Sequence, residues 1–193
     1  MVKKILSANL FFLLFSFALR AQNIIGYQGL FRSSMTISPS FMTEHKLSNL
    51  YLHGFAELFP EKNISFRGDS YLFLGSQQKN DSLLNQNSHL LYGFAIHHTN
   101  GLNDFYCGIE PGVSYTQPGN ELPAKICPTL SVFAGYTFSV WKYFNFYAGV
   151  RVLNTRYIDY IKSSSGILPL NEILFSAGLG FQIPLKKLCC PEF

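Results

Sequence analysis

Between residues 173 and 183 the chain alternates without a break in one register. Ile173, Phe175, Ala177, Leu179, Phe181 and Ile183 are apolar, while Ser176, Gly178, Gly180 and Gln182 between them are small or polar; only Leu174 departs from the pattern. A period of two is the mark of a strand with two unlike faces. Seven earlier stretches follow the same rule, at residues 24–41, 50–59, 64–75, 89–98, 105–115, 129–140 and 144–155. In the first of them Met35, Ile37, Pro39 and Phe41 alternate with Thr36, Ser38 and Ser40, and Pro39 interrupts the donor ladder. The pattern therefore predicts eight strands.

The connections alternate in length. Those at residues 60–63, 99–104 and 141–143 are short, whereas those at 76–86, 117–126 and 158–170 are longer and polar, and 43–49 belongs with the long set. Antiparallel strands joined in this way make a barrel with tight turns at one end and loops at the other. Phe59, Trp141 and Tyr143 fall at the tight-turn end, where a membrane barrel carries an aromatic girdle.

The division of residue types between the two faces separates a soluble barrel from a membrane one. A soluble eight-stranded barrel, such as a lipocalin-like ligand carrier, places large apolar residues inside and charges outside. Here the strand charges Glu57, Arg67, Asp69, Glu110 and Arg151 all fall on the face rich in Gly, Ser and Thr. The other face carries Phe, Leu, Ile, Val and Tyr and no charge within the predicted strands. The expectation is an outward apolar face in lipid and a narrow polar interior, with small residues making room for a few long ones. Backbone groups in lipid must all be paired, so the sheet must close.

Composition strengthens this reading. Of 193 residues 48% are hydrophobic and 16% aromatic, while only 13% are charged, about half the share of a soluble domain. Residues 1–21 have the layout of a secretory signal peptide, with Lys3 and Lys4 before an apolar run from Ile5 to Leu19 and a small residue at Ala21. No later stretch reaches the ~20 apolar residues of a spanning helix. Residues 22–193 are then the mature barrel and a short tail. Of the 15 basic residues three lie in the leader, which leaves 12 against 11 acidic ones and no basic patch for nucleic acid.

On these residues the chain resembles the small eight-stranded outer-membrane β-barrels of the OmpA/OmpX type, over essentially the whole mature length. The resemblance implies an antiparallel up-and-down transmembrane β-barrel, a monomer in a bacterial outer membrane, surrounded by outer-membrane lipid. The last strand is also similar to the family's assembly signal, with Ser176, Gly178, Phe181 and Ile183 at its positions, which implies insertion by the outer-membrane assembly machinery. The family's strand ends its chain, whereas here ten residues follow Ile183.

Chemistry is sparse. A tight turn after Pro60 places Glu57 opposite Arg67 and Phe55 opposite Asp69, and unpaired charges in a dry barrel cost several kcal/mol each, so a Glu57–Arg67 contact in the lumen is expected. His97 and His98 are neighbours on a strand and point to opposite faces; His53 and His89 face the lumen or rim near the loop end. A barrel enzyme acting on lipid needs a Ser, a His and an acid within hydrogen-bond reach, which spacing alone does not deliver. No phosphate loop, zinc spacing or calcium loop occurs, so no cofactor and no metal is expected. Cys107 and Cys127 stand toward opposite ends of one hairpin and are too far apart to bridge; Cys189 and Cys190 are an incidental pair in the tail. The expected role is structural or adhesive, without catalysis and with at most a constricted pore, any extracellular partner being reached through the loops.

Overall fold

The computed structural model describes residues 27–77, 84–119, 122–159 and 166–185. They form eight antiparallel strands: β1 (Leu30–Met42), β2 (Leu47–Leu58), β3 (Ile64–Ser76), β4 (Gln86–Asn100), β5 (Asn103–Gln117), β6 (Lys125–Trp141), β7 (Phe144–Asp159) and β8 (Gly166–Pro184). Each pairs with the next and β8 pairs with β1, so the sheet is a closed barrel of up-and-down topology. The leader expected at residues 1–21 and the Cys189-Cys190 pair lie outside the described residues.

Alternation is the physical cause of the two surfaces. On β3, Ser65, Arg67, Asp69 and Tyr71 are buried while Ile64, Phe66, Leu72 and Leu74 are exposed. On β4, Leu91, Ala95 and His97 point inward against Leu90, Tyr92, Phe94, Ile96 and His98 outward. The outward rows form a continuous apolar band. On β8 it runs from Ile173 to Ile183 and on β7 from Phe144 to Val152, close to the ~9–11 residues a strand needs to cross a bilayer. Within the band no outward position is Asp, Glu, Lys or Arg.

The strands extend further than the sequence pattern predicts, and the gain is mostly at the loop end. Residues 43–49 prove to be a short turn at 43–46 rather than a loop, and β7 and β8 pair as far as Asp159 and Gly166. Part of what reads as loop belongs instead to strand beyond the apolar band: Arg156 pairs with Pro169 and Tyr157 with Leu168. The wall is consequently uneven, with β6, β7 and β8 of 17, 16 and 19 residues against 13, 12 and 13 for β1, β2 and β3.

The closing seam has its own chemistry. Backbone pairing between β1 and β8 is present at Leu30–Ser34 and at Ser40–Met42, but not across residues 35–39, where Pro39 has no N–H to give. Over that stretch hydroxyls reach across: Ser34 Oγ donates to the Leu179 carbonyl and Thr36 Oγ1 to the Ala177 carbonyl, each at 2.9 Å, and Ser38 meets Ser176 at 2.6 Å.

The inward row carries large rings among its small residues, as the alternation assigns them. Tyr51, Phe55, Tyr71, Tyr106, Phe133 and Tyr147 all turn inward and are buried. Glycines on the same face accommodate them: a Cβ on Gly108 would run into the Phe133 ring, one on Gly135 into Tyr106, and one on Gly93 into the Ile109 carbonyl and Glu110 backbone. Glycine here spares bulk on one strand so that a ring or charge from the next can occupy the bore.

Two substitutions separate this role from general tolerance. Gly93→Val forces a backbone clash and is expected to abolish the heat-modifiable folded band on a gel. Gly54→Ala, whose added Cβ meets Ser70 Oγ at 3.6 Å and the Ser34 carbonyl at 3.7 Å, is expected to retain it.

Candidate functional site

The lumen is filled by three polar tiers between two apolar caps. At the turn end Arg32 of β1 pairs with Asp104 of β5 at 2.5 Å and lies 3.9 Å from Glu57 of β2. His97 of β4 contacts both acids, at 3.1 Å from Asp104 and 3.3 Å from Glu57, and Ser65 donates to Glu57 at 2.8 Å. Tyr27 and Phe59 lie against the Arg32 guanidinium, with ring centroids 4.7 and 4.8 Å away. With Leu30 these two aromatics close the turn end. Phe59 is therefore not part of an outward girdle. It is fully buried, because the residue after β2 folds over the bore, where its ring face attracts a cation. Trp141 and Tyr143 are exposed at the same end, packed with Phe144 and Phe181.

The middle tier centres on Asp69. Its carboxylate receives Arg67 Nε at 2.7 Å, meets Arg151 Nη2 at 3.1 Å and contacts His53 Nε2 at 2.6 Å. Arg151 also bonds Glu110 and donates to Ser131 at 2.7 Å, and Arg67 stands 3.9 Å from Glu110. The guanidinium of Arg67 lies 3.9 Å from the Phe55 ring centroid, and that of Arg151 4.6 Å from Phe133. Glu57 and Arg67 are register partners, as are Phe55 and Asp69, in line with the turn length. The ion pair expected between Glu57 and Arg67 is nevertheless replaced by others. Asp69, two residues along the same strand, takes the Arg67 guanidinium, and Glu57 turns to His97, Ser65 and Arg32.

The third tier gathers around Glu172. Ser40 donates to it, as do Asn49 at 2.7 Å, Tyr51 at 2.9 Å and Asn87 at 3.3 Å, and His89 Nε2 stands 3.6 Å away. Among the described residues no guanidinium reaches this carboxylate, which is surrounded by hydroxyl and amide donors and the His89 ring. Above it, Met42, Leu47, Leu84, Cys127, Tyr157 and Leu170 form an apolar cluster that closes the loop end. An opening among the middle-tier side chains His53, Arg67, Tyr71 and Arg151 measures about 20 Å³, room for about one water.

One arrangement here has the outline of a nucleophile with its base and acid. Ser114 Oγ lies 2.5 Å from His89 Nδ1, and His89 Nε2 faces Glu172. All three are 3% exposed or less, beneath the apolar cluster, and the Ser114 hydroxyl is also engaged by Thr129 and Thr155. A nucleophile needs a place for its substrate beside it, whereas this hydroxyl is held by side chains of β4, β6 and β7. Among the described residues no His, Cys, Asp or Glu group is suited to a metal ion, and Cys107 and Cys127 are free thiols.

Arg32, Asp104 and Glu172 are the buried charges that the sequence pattern passes over. Asp104 and Glu172 lie on inward rows one step beyond the predicted strands, Asp104 before Tyr106 and Glu172 before Leu174, and continuing each row by two residues would have found them. Arg32 lies within the first predicted stretch, on the inward row of Ser34 and Thr36, and extending that row backward would have found it. The residues resembling an assembly signal divide by face: Ser176 and Gly178 lie on the inner row, Phe181 and Ile183 on the outer.

No protein-family model and no curated protein sequence matches the chain. Solved structures do. Neisserial surface protein A is similar with a TM-score of 0.59 at 10% identity, over 81% of this chain and 97% of that one. The N-terminal β-barrel domain of OprF from Pseudomonas aeruginosa gives 0.56 at 9%, over 81% and 98%. Ail, the attachment invasion locus protein of Yersinia pestis, gives 0.53 at 11%, over 81% and 99%. At such identities the likeness establishes the architecture: the chain has the fold of small eight-stranded outer-membrane barrels.

The tiers predict unequal mutational costs. Asp69→Asn strands two guanidiniums and is expected to cost about 3–5 kcal/mol in denaturant unfolding from lipid vesicles. Glu172→Gln keeps most of its neutral partners and is expected to cost about 1 kcal/mol.

Proposed function

We propose that this protein is a non-conducting outer-membrane barrel whose task is performed by the surface it displays above the bilayer. The observation that carries the reading is the combination of an outward apolar band free of charge with a bore occupied along its length. A ligand carrier of lipocalin type would need the reverse, an interior cavity and a polar exterior. A lipid-modifying enzyme would need its Ser, His and acid where a substrate reaches them. The aromatic cluster around Trp141 and Tyr143 belongs at the periplasmic interface on this reading, and Ser176, Gly178, Phe181 and Ile183 act as the signal read by the assembly machinery.

The display surface is the wall that rises past the band. Arg156, Lys46 and His45 converge on it: His45 Nε2 lies 3.2 Å from the carbonyl of Pro169, the register partner of Arg156, and Lys46 follows His45. Glu44 is held to one side by Asn171 at 2.7 Å. Lys46 and Arg156 are exposed. One similar structure is Ail in complex with the heparin analogue sucrose octasulfate. By analogy, sulfated polysaccharide is the partner class to test first on this rim.

Membrane fractionation with a heat-modifiability gel tests the setting; a soluble periplasmic protein without a folded-form shift would defeat it. Val132→Arg, at an outward position 55% exposed, is expected to lower folding stability in lipid by about 2–4 kcal/mol. Cells displaying the protein are expected to adhere to heparin-coated surfaces, and the pair Lys46→Glu and Arg156→Glu to reduce that adhesion without loss of folded protein. Equal adhesion by cells lacking the protein would remove the surface role.

A further inference from the structure

The outward apolar face is not evenly filled. At the turn end of the β1–β8 seam it carries a groove of about 350 Å³, lined by Ser33, Met35, Phe144, Leu179, Gly180 and Phe181. The cause lies in the sequence. Among the larger outward residues of β1, such as Phe31, Met35 and Ile37, Ser33 is small, and it leaves a trough beside Phe181, its register partner on β8. The walls are apolar, while the floor keeps a hydroxyl at Ser33.

A cation is linked to the wall of this trough through aromatic rings. Lys142, in the β6–β7 turn, holds its Nζ 5.0 Å from the Tyr143 ring centroid. The Tyr143 ring stacks on Phe181 at 6.4 Å and 17°, and Phe181 packs edge-on against Phe144 at 5.8 Å. From the membrane edge inward the order is therefore ammonium, aromatic ring, polar floor and apolar trough. A glycerophospholipid has the matching order of phosphate, glycerol ester and acyl chain.

We infer that this groove is a phospholipid site, with the phosphate on Lys142, the ester region over Ser33 and one acyl chain lying against Met35 and Leu179. The inference rests on the membrane reading above and adds a bound lipid of defined position to it. Such a lipid would cover the stretch of wall where β1 and β8 are joined by hydroxyls instead of backbone pairs, and would exclude water from it. The negative phosphate matches the Lys142 charge, and the trough accepts a single flexible chain.

The test is native mass spectrometry of the barrel released from vesicles of mixed phosphatidylethanolamine and phosphatidylglycerol, with folding checked by heat-modifiability on the same samples. The wild-type protein is expected to retain one phospholipid. Lys142→Glu is expected to lower that occupancy roughly fivefold, one basic residue's worth at a lipid surface, and Ser33→Trp to abolish it by filling the trough. Equal retention by folded wild type and Lys142→Glu would overturn the inference and leave the membrane reading intact. A lipid-free dimer mass would overturn it in favour of a second copy in the groove. Failure of the wild type to insert would overturn both, and is recorded by the gel alone. If Ser33→Trp does not fold, Lys142→Glu, in a turn outside the wall, decides the matter.

Discussion

Eight strands close around a bore only wide enough for side chains, and that narrowness governs the rest of the molecule. Nothing that enters the lumen can keep a shell of water, so each charge must find its partners among the others. Asp69 shows how this is met. Guanidiniums from β3 and β7 and an imidazole from β2 converge on one carboxylate, and aromatic rings face the guanidiniums from other sides. For stability alone, well-packed apolar residues would serve as well, since buried ion pairs seldom gain much over hydrophobic packing. What the cluster adds is register. Arg151 meets Asp69 and Glu110 only when β3, β5 and β7 stand in one alignment.

The exterior answers a different demand. Every backbone group in a wall that faces lipid would need a partner, and antiparallel ladders join each strand to its neighbours, with an interruption of five residues in the middle of the closing seam. There Ser34, Thr36 and Ser38 stand on the inner row of β1 and bond across to β8. These small hydroxyl residues share their strand with Pro39, and the two features compensate: the ring withholds a donor and the hydroxyls supply others.

Much of this was legible in the sequence because a period of two assigns each residue to a face once its strand is known. All eight strands, their antiparallel order and the inward row of Glu57, Arg67, Asp69, Glu110 and Arg151 follow from that periodicity. The strand ends were less legible. Polar residues such as Arg156 and Asn171 look like connection when they are strand surface lying past the apolar band, and the same shortening hid Asp104 and Glu172, while Arg32 sat at the unclear start of the first strand. Partner choice across the lumen was not legible at all. Register fixes neighbours along the wall, as with Glu57 and Arg67, whereas Arg32 reaches Asp104 from β1 to β5 through the bore. Phe59 failed for a related reason: an aromatic at a strand end reads as girdle, but whether it turns out to lipid or in over a cation depends on the chain before β1, where Tyr27 and Leu30 receive it.

The two apolar caps have a consequence for how the protein responds to its medium. Dissolved ions weaken attraction between exposed charges within about a Debye length, but buried pairs are screened far less. Tyr27, Leu30 and Phe59 shut one end of the bore and the cluster around Met42 and Tyr157 shuts the other. The internal charge network is thereby isolated from the ionic strength outside. The rim bearing Lys46 and Arg156 is fully subject to it. A shift from dilute to concentrated salt would thus retune what the surface attracts while leaving the architecture that carries it unchanged.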